Sequence, residues 1–111
     1  MKKYLFIVST IILIMVLSGC GTAKVADDSI KIANDAIEVM EMYDDEKMDA
    51  NEAYDRLTDL HDQCEALEHE DSEQDSNNTS IVISINTAKT KVLQGETCID
   101  EIKELKEVIN K

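Results

Sequence analysis

Apolar side chains return every three or four positions through most of this chain after about residue 25, and no proline interrupts them. Spacing of that kind gathers side chains onto one face only in an α-helix. The clearest run is Ala50, Ala53, Leu57, Leu60, Cys64 and Leu67, a seam of the kind that helices in bundles use. An earlier run, Ala26, Ile30, Ala33, Ile37 and Met40, is widened by Val25, Ile32, Ala36 and Val39, with Asp and Glu on the opposite side. A third passes through Ile81, Ile85, Ala88, Val92, Gly95, Ile99, Ile102, Leu105 and Ile109. Its opening, Ile81-Val82-Ile83-Ser84-Ile85, has the composition of a strand, but a lone strand has no pairing partner here and the longer pattern is helical.

Punctuation between the runs sets the expected boundaries. The first helix spans about 26–43 and breaks at Tyr43-Asp44-Asp45-Glu46-Lys47. Asp49-Ala50-Asn51-Glu52 starts the second as a capping box, Asp at the N-cap and Glu three residues on, and that helix is expected over 50–70. Asp71 to Asn78 has no apolar residue and many turn formers, so it is expected as a solvent loop. The third helix then covers 80–109, about 45 Å at 1.5 Å per residue, with Gly95 and Thr97 as its weakest point. None of the three can bury its stripe alone. The expected fold class is all-α, a small antiparallel three-helix bundle.

The first twenty residues have a different grammar. Met1-Lys2-Lys3 is a short basic region, Tyr4 to Val16 is an apolar run, and Leu17-Ser18-Gly19-Cys20 closes it with small residues before a cysteine. The layout resembles the signal peptide and lipobox of bacterial lipoproteins. That resemblance implies a hydrophobic signal-peptide helix over residues 1–19, cleavage before Cys20, and a diacylglyceryl group on the Cys20 thiol. Residues 20–25 then form a lipidated tether, and 26–111 the helical domain. The implied address is the bacterial envelope, outward facing: the outer face of the cytoplasmic membrane, or the outer membrane where the host has two. A retained membrane helix is the competing explanation, but spanning a bilayer takes about 20 apolar residues and this run is barely that long. Two acyl chains suffice for stable anchoring without a protein span.

Charge restricts the partners. The chain carries 24 acidic residues against 11 Lys and Arg, a formal net charge of −13, and Lys2 and Lys3 leave with the signal peptide. Such a surface repels nucleic acid and anionic headgroups. The acid is concentrated: Asp27 to Asp75 holds 19 acidic residues and three basic ones, whereas the remainder to Lys111 is balanced. This is a solubilising surface, or a docking face for a cationic partner or for divalent ions at the cell envelope.

Several constellations bear on chemistry. Once lipid takes Cys20, Cys64 and Cys98 remain as an even pair outside the cytoplasm, and a disulfide between them is expected. His61, Glu65 and His69 form an i, i+4, i+8 row on the second helix, two imidazoles and a carboxylate suited to a transition metal, although only one i, i+4 pair of such a row chelates easily. Asp71, Glu73 and Asp75 alternate like the start of a calcium loop, but Ser76 stands where glycine is required and Val82 where glutamate is, so no EF-hand is expected. The sequons around Asn77-Asn78 are coincidental at a bacterial address. No nucleophile has a base at a recognisable spacing and there is no glycine-rich phosphate loop, which argues against an enzyme and against a bound cofactor. The residues therefore favour a non-catalytic interaction or accessory module, membrane-anchored by lipid and docking an envelope protein; extracytoplasmic metal or cation binding through His61, Glu65 and His69 is the alternative.

Overall fold

The computed structural model describes residues 23–111; the apolar run, Cys20 and the lipobox lie outside the described residues. The domain is all-α, four helices with no β-strand among the described residues: α1 (Asp27–Asp44), α2 (Ala50–Glu65), α3 (Ser72–Leu93) and α4 (Ile99–Ile109). Each packs on its sequence neighbour, α4 closes back onto α1, and α1 and α3 meet only weakly across the diagonal. Residues 23–29, 64–78 and 108–111 converge at one end through side-chain hydrogen bonds, and the turns after α1 and α3 lie at the other. The helices thus run alternately up and down.

The expected three-helix count fails at Gly95. α3 stops there because Gly95 takes φ +75°, its N–H bonding the Val92 carbonyl and the Glu96 N–H reaching back to Lys91. Those two bonds are a Schellman ending, which needs a left-handed residue just past the cap. The 80–109 segment is accordingly two helices. Asp44, at the end of α1, then accepts the Cys98 N–H with both carboxylate oxygens, at 2.9 and 3.2 Å, and so supplies the start of α4 from across the bundle. A carboxylate is well placed against the positive end of a helix.

The expected loop over 71–78 is corrected as well. Asp71 accepts from the backbone N–H groups of Glu73 and Gln74, and α3 starts at Ser72. Asp71 with Gln74 three residues on is an N-terminus signature, but the absence of apolar residues hides the inward face, which is polar: Asn77 and Asn78 are each only 4% exposed. α2 correspondingly ends at Glu65 and not at 70. Its start matches the capping-box expectation, with the Asp49 side chain accepting from the Glu52 N–H at 2.8 Å.

The core consists of aliphatic residues from all four helices, with Met40, Leu57, Ile81, Ile85 and Leu105 its largest fully buried side chains. The stripe of α2 lies where its spacing puts it, with Ala53, Leu57, Leu60 and Cys64 buried. On α1 the widened stripe is buried as expected, Ile32, Ala33, Ala36, Ile37, Val39 and Met40 among it, while Ser29 joins the buried face and Ile30 is half-buried. On the exposed side of α3, Thr79, Ser80, Thr87 and Thr90 return their hydroxyls to carbonyls four residues back, so this Ser/Thr-rich helix leaves few groups seeking partners. Val25 is 3% exposed and belongs to the core.

Candidate metal centre

The last turn of α2 gathers the one described set of three or more metal-ligating side chains: His61, Asp62 and Glu65, whose ligand atoms all lie within 4.8 Å of one another. His61 and Glu65 are one turn apart, as their spacing requires. Asp62 joins because it neighbours His61 in sequence and its carboxylate folds back, Oδ1 standing 3.1 Å from the imidazole Nδ1. The imidazole is largely covered by protein while the Asp62 side chain is 69% exposed.

His69 is not part of the set, contrary to the expected row. The helix ends four residues before it, and the 66–71 connection carries it across to α1, where its Nε2 lies 3.0 Å from Asp28 Oδ1. Its side chain is buried. It fixes the connection to α1, and Asp62 takes its place beside the other two ligands. Sequence reasoning missed Asp62 because an i, i+1 pair does not share a helical face; the meeting depends on a side-chain torsion that periodicity does not encode.

Electrostatics favours a cation here. α2 has no basic residue in its last turn, and Asp62 and Glu65 stand at its C-terminal end. Negative charge at that end opposes the helix dipole, by about 0.3 to 1 kcal/mol per group at exposed positions. A bound cation would reverse the sign. The geometry is also close: ligands about 2.1 Å from a tetrahedral ion stand about 3.4 Å apart, so the His61–Asp62 spacing of 3.1 Å is near it and Glu65, which is exposed, closes by at most about 1.4 Å.

The cysteines do something else. The expected Cys64–Cys98 disulfide is not formed; both are free, buried thiols. Cys64 donates to Asn78 Oδ1 at 3.0 Å, whereas Cys98 lies 3.9 Å from the Ala88 carbonyl. Those two contact points are ten residues apart on α3, about 15 Å, whereas bridged sulfurs are about 2 Å apart. Burial, with Asp28 adding to it, pushes the Cys64 thiol up to about 11; burial, with Asp44 and Glu101 outweighing Lys91, pushes Cys98 up to about 12. Both stay protonated, the reverse of what a nucleophile or a metal-binding thiolate needs.

Cys64 belongs to a buried polar knot. Asn78 Oδ1 accepts from Ser29 Oγ at 2.7 Å and from Cys64, while its Nδ2 donates to the Cys64 carbonyl at 3.0 Å, joining α1, α2 and α3. On the far side, Glu101 of α4 is 3% exposed and paired through Oε2 with Lys91 at 3.0 Å. An open groove of about 680 Å³ between the turns after α1 and α3, lined by Tyr43, Met48 and Thr97 among others, shares no residue with the His61 cluster and lies at the opposite end.

The chain matches no protein-family model, no curated protein and no solved structure. Its function is therefore argued from the site.

Proposed function

We propose that this is a non-catalytic, lipid-anchored domain of the bacterial envelope that binds a divalent transition-metal ion at the end of α2. The observation that carries it is the convergence of His61, Asp62 and Glu65 within 4.8 Å. One imidazole and two carboxylates suit Zn²⁺ and its neighbours better than Ca²⁺ or Mg²⁺, which prefer oxygen alone. Three protein ligands on an exposed turn leave further coordination positions to water or to a second molecule. That suits capture, buffering or bridging at the cell surface. The anchoring rests on the resemblance of Leu17-Ser18-Gly19-Cys20 to a lipobox: a cleaved signal-peptide helix over 1–19 and a lipidated Cys20. Among the described residues no helix is long and apolar enough to cross a membrane.

Titration of the mature domain with Co²⁺ and Zn²⁺ tests the metal reading. The expected result is a Co²⁺ ligand-field spectrum displaced by Zn²⁺, with thermal stability rising as occupancy rises, by about 2.7 kcal/mol at a hundredfold excess over Kd. His61→Ala and Glu65→Ala abolish both signals; His69→Ala leaves the spectrum unchanged. Equal loss in all three variants, or no spectrum in the wild-type domain, overturns the site.

A second reading has its own observation. Ile83, Leu93 and Ile99 are 60, 66 and 64% exposed, apolar side chains facing outward on α3 and at the start of α4. They favour a display module that docks an envelope protein. Failure of the titration would leave this reading in place.

A further inference from the structure

We infer that the bundle end built from residues 23–29, 66–78 and 108–111 is held against the lipid bilayer as a close mount, not carried on a free leash. The inference rests on lipid attachment at Cys20, as proposed above, and adds which surface of the domain meets the headgroups.

The argument begins with how the chain enters the domain. The Ala23 carbonyl accepts from Gln74 Nε2 at 2.8 Å, and the Lys24 carbonyl accepts from Asn77 Nδ2 at 2.8 Å. Val25 is buried immediately afterwards. Asn77, itself buried, also accepts from Lys111 Nζ at 3.2 Å, so one side chain ties the entering chain to the last residue. Backbone carbonyls held by side chains of a helix are not those of a swinging linker. From Ala23 onward the chain is part of the bundle.

Covalent length then limits the separation. Gly21 and Thr22 alone stand between Cys20 and Ala23. Three Cα steps span at most about 11 Å, even fully extended. A diacylglyceryl cysteine sits at headgroup level, so Ala23, where the chain enters this end of the bundle, stays within about 11 Å of the headgroups. α1 runs about 27 Å from that end, so the turn after α1 is the part of the bundle that the short link leaves free to stand clear of the lipid.

Charge decides how tightly that gap closes. The mounted end carries Asp27, Asp28, Glu68, Glu70, Asp71, Glu73 and Asp75 against Lys24 and Lys111, so acid predominates. Headgroup phosphates within a Debye length of about 8 Å repel it. Repulsion cannot carry Ala23 beyond its covalent reach from Cys20, and divalent cations between carboxylate and phosphate draw the end in. The His61–Asp62–Glu65 turn belongs to the same end of α2, so an ion bound there lies close to the membrane.

Short-range quenching tests the mount. Single reporters go on Ser72→Cys, exposed at the mounted end, and on Lys47→Cys, exposed at the far turn; the buried native thiols stay unlabelled. The lipidated protein is reconstituted in vesicles of equal phosphatidylcholine and phosphatidylglycerol containing a nitroxide-headgroup lipid. The expected result is severalfold greater quenching at 72 than at 47, rising further with Mg²⁺. Gln74→Ala, a mild change at a surface residue, should narrow the difference by loosening the clamp. Equal quenching at both positions overturns the mount. Intact mass of the same sample separates this from failure of the anchor: an unmodified N-terminus that keeps residues 1–19 overturns the lipoprotein reading and, with it, this inference.

Discussion

Gly95→Ala measures the cost of dividing the 80–109 segment into two helices. Gly95 stands at φ +75°, and a Cβ added there meets nothing within 4 Å, so steric overlap with the rest of the bundle contributes nothing and the backbone conformation alone sets the penalty. A left-handed conformation costs an L-residue about 1–2 kcal/mol. Alanine recovers about 0.4–1 kcal/mol by lowering the entropy of the unfolded chain. The net is a destabilisation of about 1 kcal/mol, or a fall in Tm on the order of 5 °C for a domain of this size. The turn after α1 supplies the mirror experiment. There Glu46 has φ 62°, its N–H bonds Tyr43 and the Lys47 N–H bonds Met42, the same Schellman pattern without a glycine. Glu46→Gly should therefore stabilise by a similar amount. Thermal and urea unfolding of both variants by circular dichroism gives the two values. If Gly95→Ala is stabilising, the left-handed stop is not what ends α3 and the four-helix description is refuted.

Asn78→Ala should destabilise far more, by about 2–4 kcal/mol, because it strands the Ser29 hydroxyl and weakens the partners of Cys64 in a buried place; urea unfolding checks it, and a loss under 1 kcal/mol would mean that the knot is dispensable. Alkaline pH should weaken the fold through the thiols. Their pKa values rise on folding from 9.0 to about 11 and about 12, so above pH 9 the unfolded chain releases protons that the folded one keeps, and stability falls as pH rises from 9 through the folded values. The Cys64→Ala/Cys98→Ala double variant should show a shallower decline in urea midpoint over that window than the wild-type domain; identical slopes would contradict the burial described for the two thiols.

Residue spacing made the helical class and the interior of each apolar stripe legible: Ala53, Leu57, Leu60 and Cys64 are buried where their periodicity puts them. Two kinds of information were not in the spacing. One is the polar inward face. Asn77 and Asn78 read as loop formers, yet their amides satisfy Lys24, Lys111, Ser29 and Cys64 across sequence separations that local patterning does not reach. The other is the choice between a glycine that weakens a helix and one that ends it. Gly95 was visible as a weak point, but a left-handed stop is decided by whether the next segment finds a partner, here Asp44 receiving the Cys98 N–H. For the site, His61 and Glu65 followed from a single turn of helix. His69 failed with the boundary, since a ligand row longer than one turn depends on where its helix stops.

The separation of the two thiols makes this fold indifferent to the redox state around it. A domain stapled by a disulfide is complete only after export, and the reducing cytoplasm keeps it loose until then. Here nothing in the core waits for an oxidant: Cys64 and Cys98 do their packing as thiols, and the same bundle is accessible on either side of the membrane. Under the lipoprotein reading proposed above, a chain that can fold before it crosses must be crossed early, which would place the demand on the proposed leader to engage export before α2 and α3 have closed on Asn78.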